Sequence, residues 1–243
     1  MLHESGAVAS PRGLLHRVYT DDFLETVDRW CGVPGPPSAE NRRRREGIRV
    51  FRSGFVEKYF SKAHPATPIV LTGPIMAFGL YRALSGAGGL WGSLLGFAAG
   101  ILLWSFVEYA LHRFLFHWKP RTPGQKLFWF MLHGYHHEFP DDKMRLVAPP
   151  LMFFVLGLAV GSVYFLVFGV ELWAQVFAGT AVGYVGYDWI HYYTHHFHPR
   201  GGPGKWLRTY HLRHHFQDEG SRYGISSPLC DLLFGSYRAP DAP

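Results

Sequence analysis

Long apolar runs divide this chain into segments of membrane-spanning length separated by polar connections. Three stretches, 63–81, 83–107 and 146–170, contain no Asp, Glu, Lys or Arg, and a shorter fourth covers 172–187. Because about 20 apolar helical residues cross a bilayer core, these runs predict four transmembrane helices near residues 66–84, 88–110, 149–168 and 171–190. The alternative, a soluble protein with buried helices, poorly explains four such runs in 243 residues.

The connections between these spans predict an all-α integral membrane protein built from two helical hairpins. The links at 82–89 and 168–171 are very short and carry only Arg82 and Glu171 as charges. Basic residues instead gather before the first span and between the second and third. Since positive charge favours the cytoplasmic side, we expect the N-terminus, a central helical cap and the C-terminus to be cytoplasmic.

The same pattern divides the chain into three parts. Residues 1–62 are predicted to form a polar, basic, cytoplasmic region, residues 63–238 the membrane domain, and residues 239–243 a disordered tail. The run Arg42–Arg45 is interpreted either as a topogenic signal or as a contact for anionic lipid headgroups. The first ten residues have no apolar core and do not resemble a secretory signal.

Composition narrows the classes of function. Charged residues make up 17% of the chain and aromatic residues another 17%, a balance that fits a membrane protein. The net charge of +6 does not indicate nucleic-acid binding, because the basic residues are not on an amphipathic or aromatic-interleaved surface. Cys31 and Cys230 lie far apart, which predicts neither a disulfide framework nor a thiolate metal site.

Ten of the fifteen histidines fall into four clusters that directly follow the predicted spans. The clusters are His112 and His117; His133, His136 and His137; His191 and His195; and His211, His214 and His215. Imidazole is a common ligand of iron, zinc and copper, and ten rings exceed the coordination of one ion. The clusters therefore predict two metals with about five histidines each.

Spacing decides what each cluster can offer. Residues at i and i+4 share a helical face, so His191 and His195 lie together. Each triplet presents one face that can supply ligands to both metals. His112 and His117 are five residues apart, about 140° on a regular helix. They either serve different metals or lie on a distorted helix, such as a π-bulge.

Two carboxylates and a tyrosine accompany the clusters. Glu108 and Asp188 lie about one turn before His112 and His191, where we expect them to orient the ligating rings. They could instead mark the lipid interface or bind metal directly. Tyr184 and Asp188 extend the face of His191 into the membrane and are predicted to bind the substrate's polar head. Packing of Tyr184 at the lipid interface is the alternative.

The number and placement of the histidines favour oxygen chemistry on a lipid. Catalytic zinc usually takes three protein ligands and a water, whereas iron with open positions activates dioxygen. A metal transporter would need ligands near the bilayer midplane or on both sides. The predicted clusters all emerge on one side. A metal-dependent membrane hydrolase would need neither O2 nor reductant.

At these residues the chain resembles the fatty acid hydroxylase/sterol desaturase superfamily. Within it, the chain is most similar to fatty acid 2-hydroxylases that act on sphingolipid acyl chains. The similarity covers about residues 108–237 and includes EYALHRFLFH at 108–117, HGYHH at 133–137 and PDDKMRLVAPP at 140–150. It continues through YVGYDWIHYYTHH at 184–196, YHLRHH at 210–215 and SSPLCDLLFG at 226–235.

The resemblance implies insertion of one oxygen atom from O2 next to the acyl carbonyl of a ceramide or a free fatty acid. It implies two iron ions on the ten histidines, which zinc can replace during preparation. A sterol or carotenoid substrate is the alternative within the superfamily. Eukaryotic members carry a cytochrome b5 domain, for which residues 1–62 are too short and polar. We therefore expect a separate cytochrome b5-like or ferredoxin donor. A bacterial inner membrane is favoured over the endoplasmic reticulum.

Overall fold

A computed structural model of the protein describes residues 11–32, 41 and 46–239. Within these residues the chain is helical, with a single isolated bridge between Tyr19 and Phe51. The helices, in chain order, are α1 (Pro11–Val18), α2 (Asp21–Gly32), α3 (Gly54–Phe60), α4 (Thr67–Leu84), α5 (Gly89–Ala110), π1 (Leu111–Phe116), α6 (Pro123–Trp129), π2 (Phe130–Gly134), α7 (Tyr135–Glu138), α8 (Pro150–His196), α9 (Gly202–Phe216) and α10 (Leu229–Phe234). The run Arg42–Arg45 and the tail from residue 240 lie outside the described residues.

Three helical stretches of the described chain are long and apolar enough to cross a membrane. They are α4, the continuous helix formed by α5 and π1, and the 47-residue α8. Helices α4 and α5 begin within one residue of the predicted spans and end where the spans were predicted to end. The apolar runs thus predicted both the helical class and the first two long helices.

Helix α8 is interrupted at Gly169, whose φ of 66° and ψ of 179° are not helical. The two sides of this break pack against each other: the Thr180 hydroxyl lies 3.2 Å from the Tyr164 hydroxyl, and the rings of Phe153 and Tyr184 lie 5.7 Å apart. In a straight helix Phe153 and Tyr184 would be separated by about 46 Å. The chain therefore folds back at Gly169, where the positive φ favours glycine.

Helix α5 packs closely against the part of α8 that follows Gly169. A Cβ atom on Gly100 would lie 2.0 Å from the Val176 carbonyl oxygen, and one on Gly179 would lie 2.0 Å from that of Phe97. The Thr180 hydroxyl also donates to the Gly100 carbonyl at 3.0 Å. Small residues of this kind let two helix backbones approach directly. This packing fixes the end of α5 beside the end of α8.

The N-terminal helices share a hydrophobic core with the segment that carries the second histidine cluster. This core contains Phe23, Val27, Trp30, Ile48, Val50, Phe51, Trp129, Phe130, Tyr135 and Phe139. The buried Glu138 carboxylate accepts a hydrogen bond from the Trp30 indole at 2.6 Å. Arg145 bridges Glu57 of α3 and Asp142. The part of residues 1–62 that the structure describes is therefore packed against the segment that carries His133, His136 and His137.

Candidate metal centre and substrate cavity

The structure gathers all ten clustered histidines into two groups of five, which we call the first and second histidine groups. The first group is His112, His117, His133, His137 and His214; the second is His136, His191, His195, His211 and His215. Within each group, one ring nitrogen per residue lies within 4.8 Å of all the others. All are buried except the half-buried His117. Of the remaining histidines, those within the described residues belong to neither group.

Helix π1 brings His112 and His117 into one group. The His117 amide donates to the His112 carbonyl at 3.1 Å, an i to i+5 hydrogen bond. Their Nε2 atoms lie 3.2 Å apart. A π-turn places residues five apart on the same side, so the helix is distorted and the two rings do not serve different groups.

The two triplets each contribute to both groups, as their spacing predicted. His133 and His137 enter the first group and His136 enters the second, whereas His211 and His215 enter the second and His214 the first. Each group therefore has three parts. It contains an i,i+4 pair from one triplet, a single ring from the other triplet, and the two histidines at the end of one long helix. The arrangement is nearly equivalent for the two groups.

Burial keeps His136 and His214 uncharged. Burial, followed by repulsion from neighbouring rings, lowers the pKa of His136 to about 3, and burial is the main cause that lowers the pKa of His214 to about 4. Desolvation disfavours the charged form of imidazole. Both rings are therefore neutral at physiological pH, which is the form that binds metal.

Two hydrogen bonds fix which nitrogen faces the centre of the first group. His112 Nδ1 donates to the Tyr223 carbonyl at 2.5 Å, and His214 Nδ1 donates to the Ser221 carbonyl at 2.7 Å. Because a carbonyl only accepts, the proton of each neutral ring is on Nδ1 and the Nε2 lone pair points inward. His214 Nε2 lies 3.0 Å from His117 Nε2. Converging lone pairs of this kind suit a bound cation.

The two predicted carboxylates have different surroundings. Glu108 accepts hydrogen bonds from the backbone amides of Ile225 at 2.5 Å and Ser226 at 2.9 Å, and from the Ser226 hydroxyl. These three donors are in the chain beside Tyr223, and the described residues show no histidine hydrogen-bonded to Glu108. Asp188 is buried beside Tyr184, which hydrogen-bonds to it. Asp188 Oδ2 has no hydrogen-bond partner among the described residues.

A cavity of about 600 Å³ lies beside the histidines. Its polar lining includes His133, His136, His191, Asp188 and Tyr184. Most of the lining is apolar and includes Leu111 and Leu115 of π1 and Leu151, Val155 and Val160 of α8. A mostly apolar space with a few polar groups, histidines among them, fits an acyl chain with its carbonyl near the histidines.

Comparison with known proteins identifies the family. The fatty acid hydroxylase family model matches residues 97–236. The chain belongs to the fatty acid hydroxylase family. The match covers all ten grouped histidines of this fatty acid hydroxylase, together with Glu108 and Asp188, and it confirms the resemblance read from the sequence motifs.

Relatives of this fatty acid hydroxylase agree with that assignment. It is 34% identical over 199 residues to the dihydroceramide fatty acyl 2-hydroxylase FAH1 of Arabidopsis thaliana, covering 82% of this chain and 84% of that one. It is 39% identical to the ceramide very long chain fatty acid hydroxylase SCS7 of Saccharomyces cerevisiae, covering 82% of this chain and 52% of that one. A solved structure described as full-length scs7p with only the hydroxylase domain visible has a TM-score of 0.74 at 30% identity, covering 93% of this chain and 81% of that chain.

Sequence reasoning missed the groups that support the rings. The carbonyls of Ser221 and Tyr223 are backbone atoms, so no residue type marks them. The buried Asp231, which binds the same segment, lies in the SSPLCDLLFG stretch. In the sequence, that stretch is marked only by the family resemblance. A carboxylate within a short apolar run was the one available signal.

Proposed function

We propose that this enzyme hydroxylates carbon 2 of a fatty acyl chain, carried by a ceramide or as the free acid. One atom of O2 enters the C–H bond, and the other leaves as water after two electrons and two protons are supplied. The observation that carries this proposal is the pair of histidine groups beside a mostly apolar cavity, which His133, His136 and His191 help to line. The named activities of FAH1 and SCS7 support the same assignment.

The ten histidines are proposed to hold two iron ions, which supply oxygen activation when bound. The donor set fits: all the rings but the half-buried His117 are buried, those of His136 and His214 are neutral, and those of His112 and His214 are locked with Nε2 inward. Zinc takes the same nitrogen ligands and can replace iron in purified protein. The chain's own task is to hold the rings and exclude water.

The membrane arrangement is proposed to have four crossings in two hairpins, with the halves of α8 before and after Gly169 as separate spans. The packing of Phe153 on Tyr184 supports this division. Residues 112–148 and 191–238 would form the cytoplasmic cap, and residues 63–238 the hydroxylase domain. Positive charge before α4 and between α5 and α8 supports that sidedness.

Asp188 and Tyr184 are proposed to bind the polar head of the substrate beside His191. We expect Asp188→Asn to lower kcat/KM by about 10- to 100-fold, because a buried polar group left without its hydrogen-bond partner costs about 1–3 kcal/mol. Tyr184→Phe should mainly raise KM. Steady-state kinetics on both variants would measure this. Tyr192→Phe is the matched control, because Tyr192 packs on His196 and does not line the cavity. Equal kinetics for Tyr184→Phe and Tyr192→Phe would contradict the role of Tyr184.

The activity itself is tested with purified protein in vesicles that contain ceramide, free fatty acid or sterol. With ¹⁸O2 and a reduced donor, we expect one labelled oxygen at carbon 2 of an acyl chain, detected by mass spectrometry. Labelled sterol would favour the alternative within the superfamily. The absence of labelled product from all three lipids would overturn the proposal. A transporter is less favoured, because both histidine groups lie at the same end of the long helices.

The donor is proposed to be a separate cytochrome b5-like protein or ferredoxin. The chain's positive charge favours an acidic donor through charge complementarity, which salt weakens. In the same vesicle reaction, raising the salt concentration should therefore lower the rate with an acidic donor. A rate that does not change with salt would remove this part of the proposal.

A further inference from the structure

The segment 221–236, which we call the C-terminal strap, crosses the outside of the first histidine group. Its Ser221 and Tyr223 carbonyls accept the Nδ1 protons of His214 and His112. The ring of Tyr223 also packs 5.6 Å from His117 and 5.7 Å from His112 and His214. The strap thus contacts three of the five rings of this group, and it contacts two of them through the atoms that set their tautomer.

Arg222, between the two accepting carbonyls, has a φ of 61°. It is the one residue other than glycine with positive φ among those the structure describes. Its amide donates to the Ser236 carbonyl at 3.0 Å, and its buried guanidinium donates to the carbonyls of Arg238 at 3.1 Å and Ala239 at 3.3 Å. A left-handed conformation in a side-chain-bearing residue persists only where its surroundings enforce it. The strap is therefore held in a specific backbone conformation where it meets the rings.

Asp231 is the anchor of that conformation. Its carboxylate is fully buried. Oδ1 accepts from the Tyr223 amide at 2.9 Å and the Ser236 hydroxyl at 2.7 Å, and Oδ2 accepts from the Gly224 amide at 2.8 Å and the Tyr210 hydroxyl at 3.0 Å. Three of these four donors belong to the strap, and the fourth, Tyr210, belongs to α9, so Asp231 ties the strap to that helix. Asp231 itself does not touch a histidine of either group through any of these bonds.

The second histidine group has no comparable support. Four of its rings, those of His136, His191, His211 and His215, have an Nδ1 atom that is buried without a hydrogen-bond partner in the described part of the chain. In the first group this holds for His137 alone, whose Nδ1 lies 3.7 Å from a Glu219 carboxylate oxygen. The two groups are otherwise built alike from the same cluster types. The two groups therefore have the same number and kind of ligands, and they differ in the hydrogen-bond partners of the Nδ1 atoms.

We infer that the strap gives the two metal positions different affinities, and that Asp231 is a positioning residue for the metal held by the first histidine group. A carbonyl that accepts from Nδ1 raises the basicity of Nε2 and fixes the ring, and loss of such partners typically lowers metal affinity about 10- to 100-fold. The first group holds its metal tightly, and the second releases its metal first. This inference rests on the proposed metal site but does not depend on which lipid is hydroxylated.

The test measures metal release rather than turnover. Full-length protein in detergent is loaded with Fe²⁺ without oxygen, or with Zn²⁺, and then exposed to EDTA while bound metal is measured. We expect two release phases of one metal each. Asp231→Asn should speed the slow phase by about 10- to 100-fold and leave the fast phase unchanged. Glu57→Gln is the matched control, because buried Glu57 also accepts from two backbone amides, those of Val50 and Phe51.

Ligand variants assign each phase to a group. His211→Ala should leave only the slowly released metal, and adding Asp231→Asn should speed its release. His117→Ala should leave only the fast metal, and adding Asp231→Asn should not change it. If Asp231→Asn does not fold, Ser236→Ala removes one donor to the same carboxylate and should give a smaller effect of the same sign.

Three results would overturn the inference: a single release phase in the unaltered protein, equal release from Asp231→Asn and Glu57→Gln, or acceleration confined to the fast phase. Two release phases without any hydroxylated lipid would instead refute the proposed function and leave the inference standing. Fewer than two metals in fully loaded protein would refute the metal site, and the inference with it.

Discussion

Replacing His137 with alanine is expected to abolish hydroxylation and to reduce the bound metal from two ions to one or none. His137 Nε2 lies 3.0 Å from His133 Nε2 within the first group, and its ring stacks on His215 of the second group at 4.1 Å. The residue is therefore both a member of one group and a packing contact with the other. Because loss of a mere supporting partner costs about 10- to 100-fold, loss of the ligand should cost more than ~100-fold in kcat.

The measurement is product formation by lipid mass spectrometry together with metal content of the purified variant. His198→Ala is the matched control, because His198 is exposed and belongs to neither group. It should keep two metals and full activity. If His137→Ala kept two metals and more than ~10% of the activity, His137 would not be a ligand. The assignment of the first group would then have to be revised.

The long apolar helices and the histidine clusters could be predicted because side-chain type marks the first and side-chain spacing marks the second. Apolar runs free of charge located α4 and α5, and i,i+4 spacing predicted how His133 and His137 fall together. The pair His112 and His117 was ambiguous, since a regular helix separates residues five apart. Only the π-helical backbone of Leu111–Phe116 decided between the two alternatives.

The supporting structure could not be predicted, because it depends on backbone atoms and on contacts between distant segments. The Ser221 and Tyr223 carbonyls have no signature in the sequence. Trp30 contacts Glu138 across 108 positions, although Phe23, Val27 and Trp30 lie at helical spacing that marks one apolar face. Because residues 1–62 are polar and basic on average, their composition does not reveal this apolar face.

The close contact between α5 and α8 links the packing of the long helices to the positions of the histidine groups. Glu108 and His112 lie at the end of one helix and its π-helical extension, and Asp188 and His191 at the end of the other. The Gly100 and Gly179 backbones meet several turns earlier. Any change that forces these backbones apart will also separate the two helix ends that carry histidines. Stability and metal binding should therefore fail together when this contact is disturbed.

Gly179→Ala is accordingly expected to lower the free energy of unfolding by about 1–2 kcal/mol. The new methyl group would lie 2.0 Å from the Phe97 carbonyl oxygen, a backbone atom that cannot rotate away. Overpacking of this kind costs about 1–3 kcal/mol or more, and it exceeds the gain of up to ~1 kcal/mol from the better helix propensity of alanine. Denaturant titration in detergent, followed by metal analysis, would measure both effects.

Gly186→Ala is the matched control in the same helix, because a Cβ there meets nothing within 4 Å. It carries the same gain in helix propensity without the clash, so its stability should be unchanged or higher by up to ~1 kcal/mol. Equal stability of the two variants would mean that α5 and α8 can separate without cost. Loss of metal from Gly179→Ala alone, with the helices still folded, would show that the spacing of the helix ends governs the histidine groups directly.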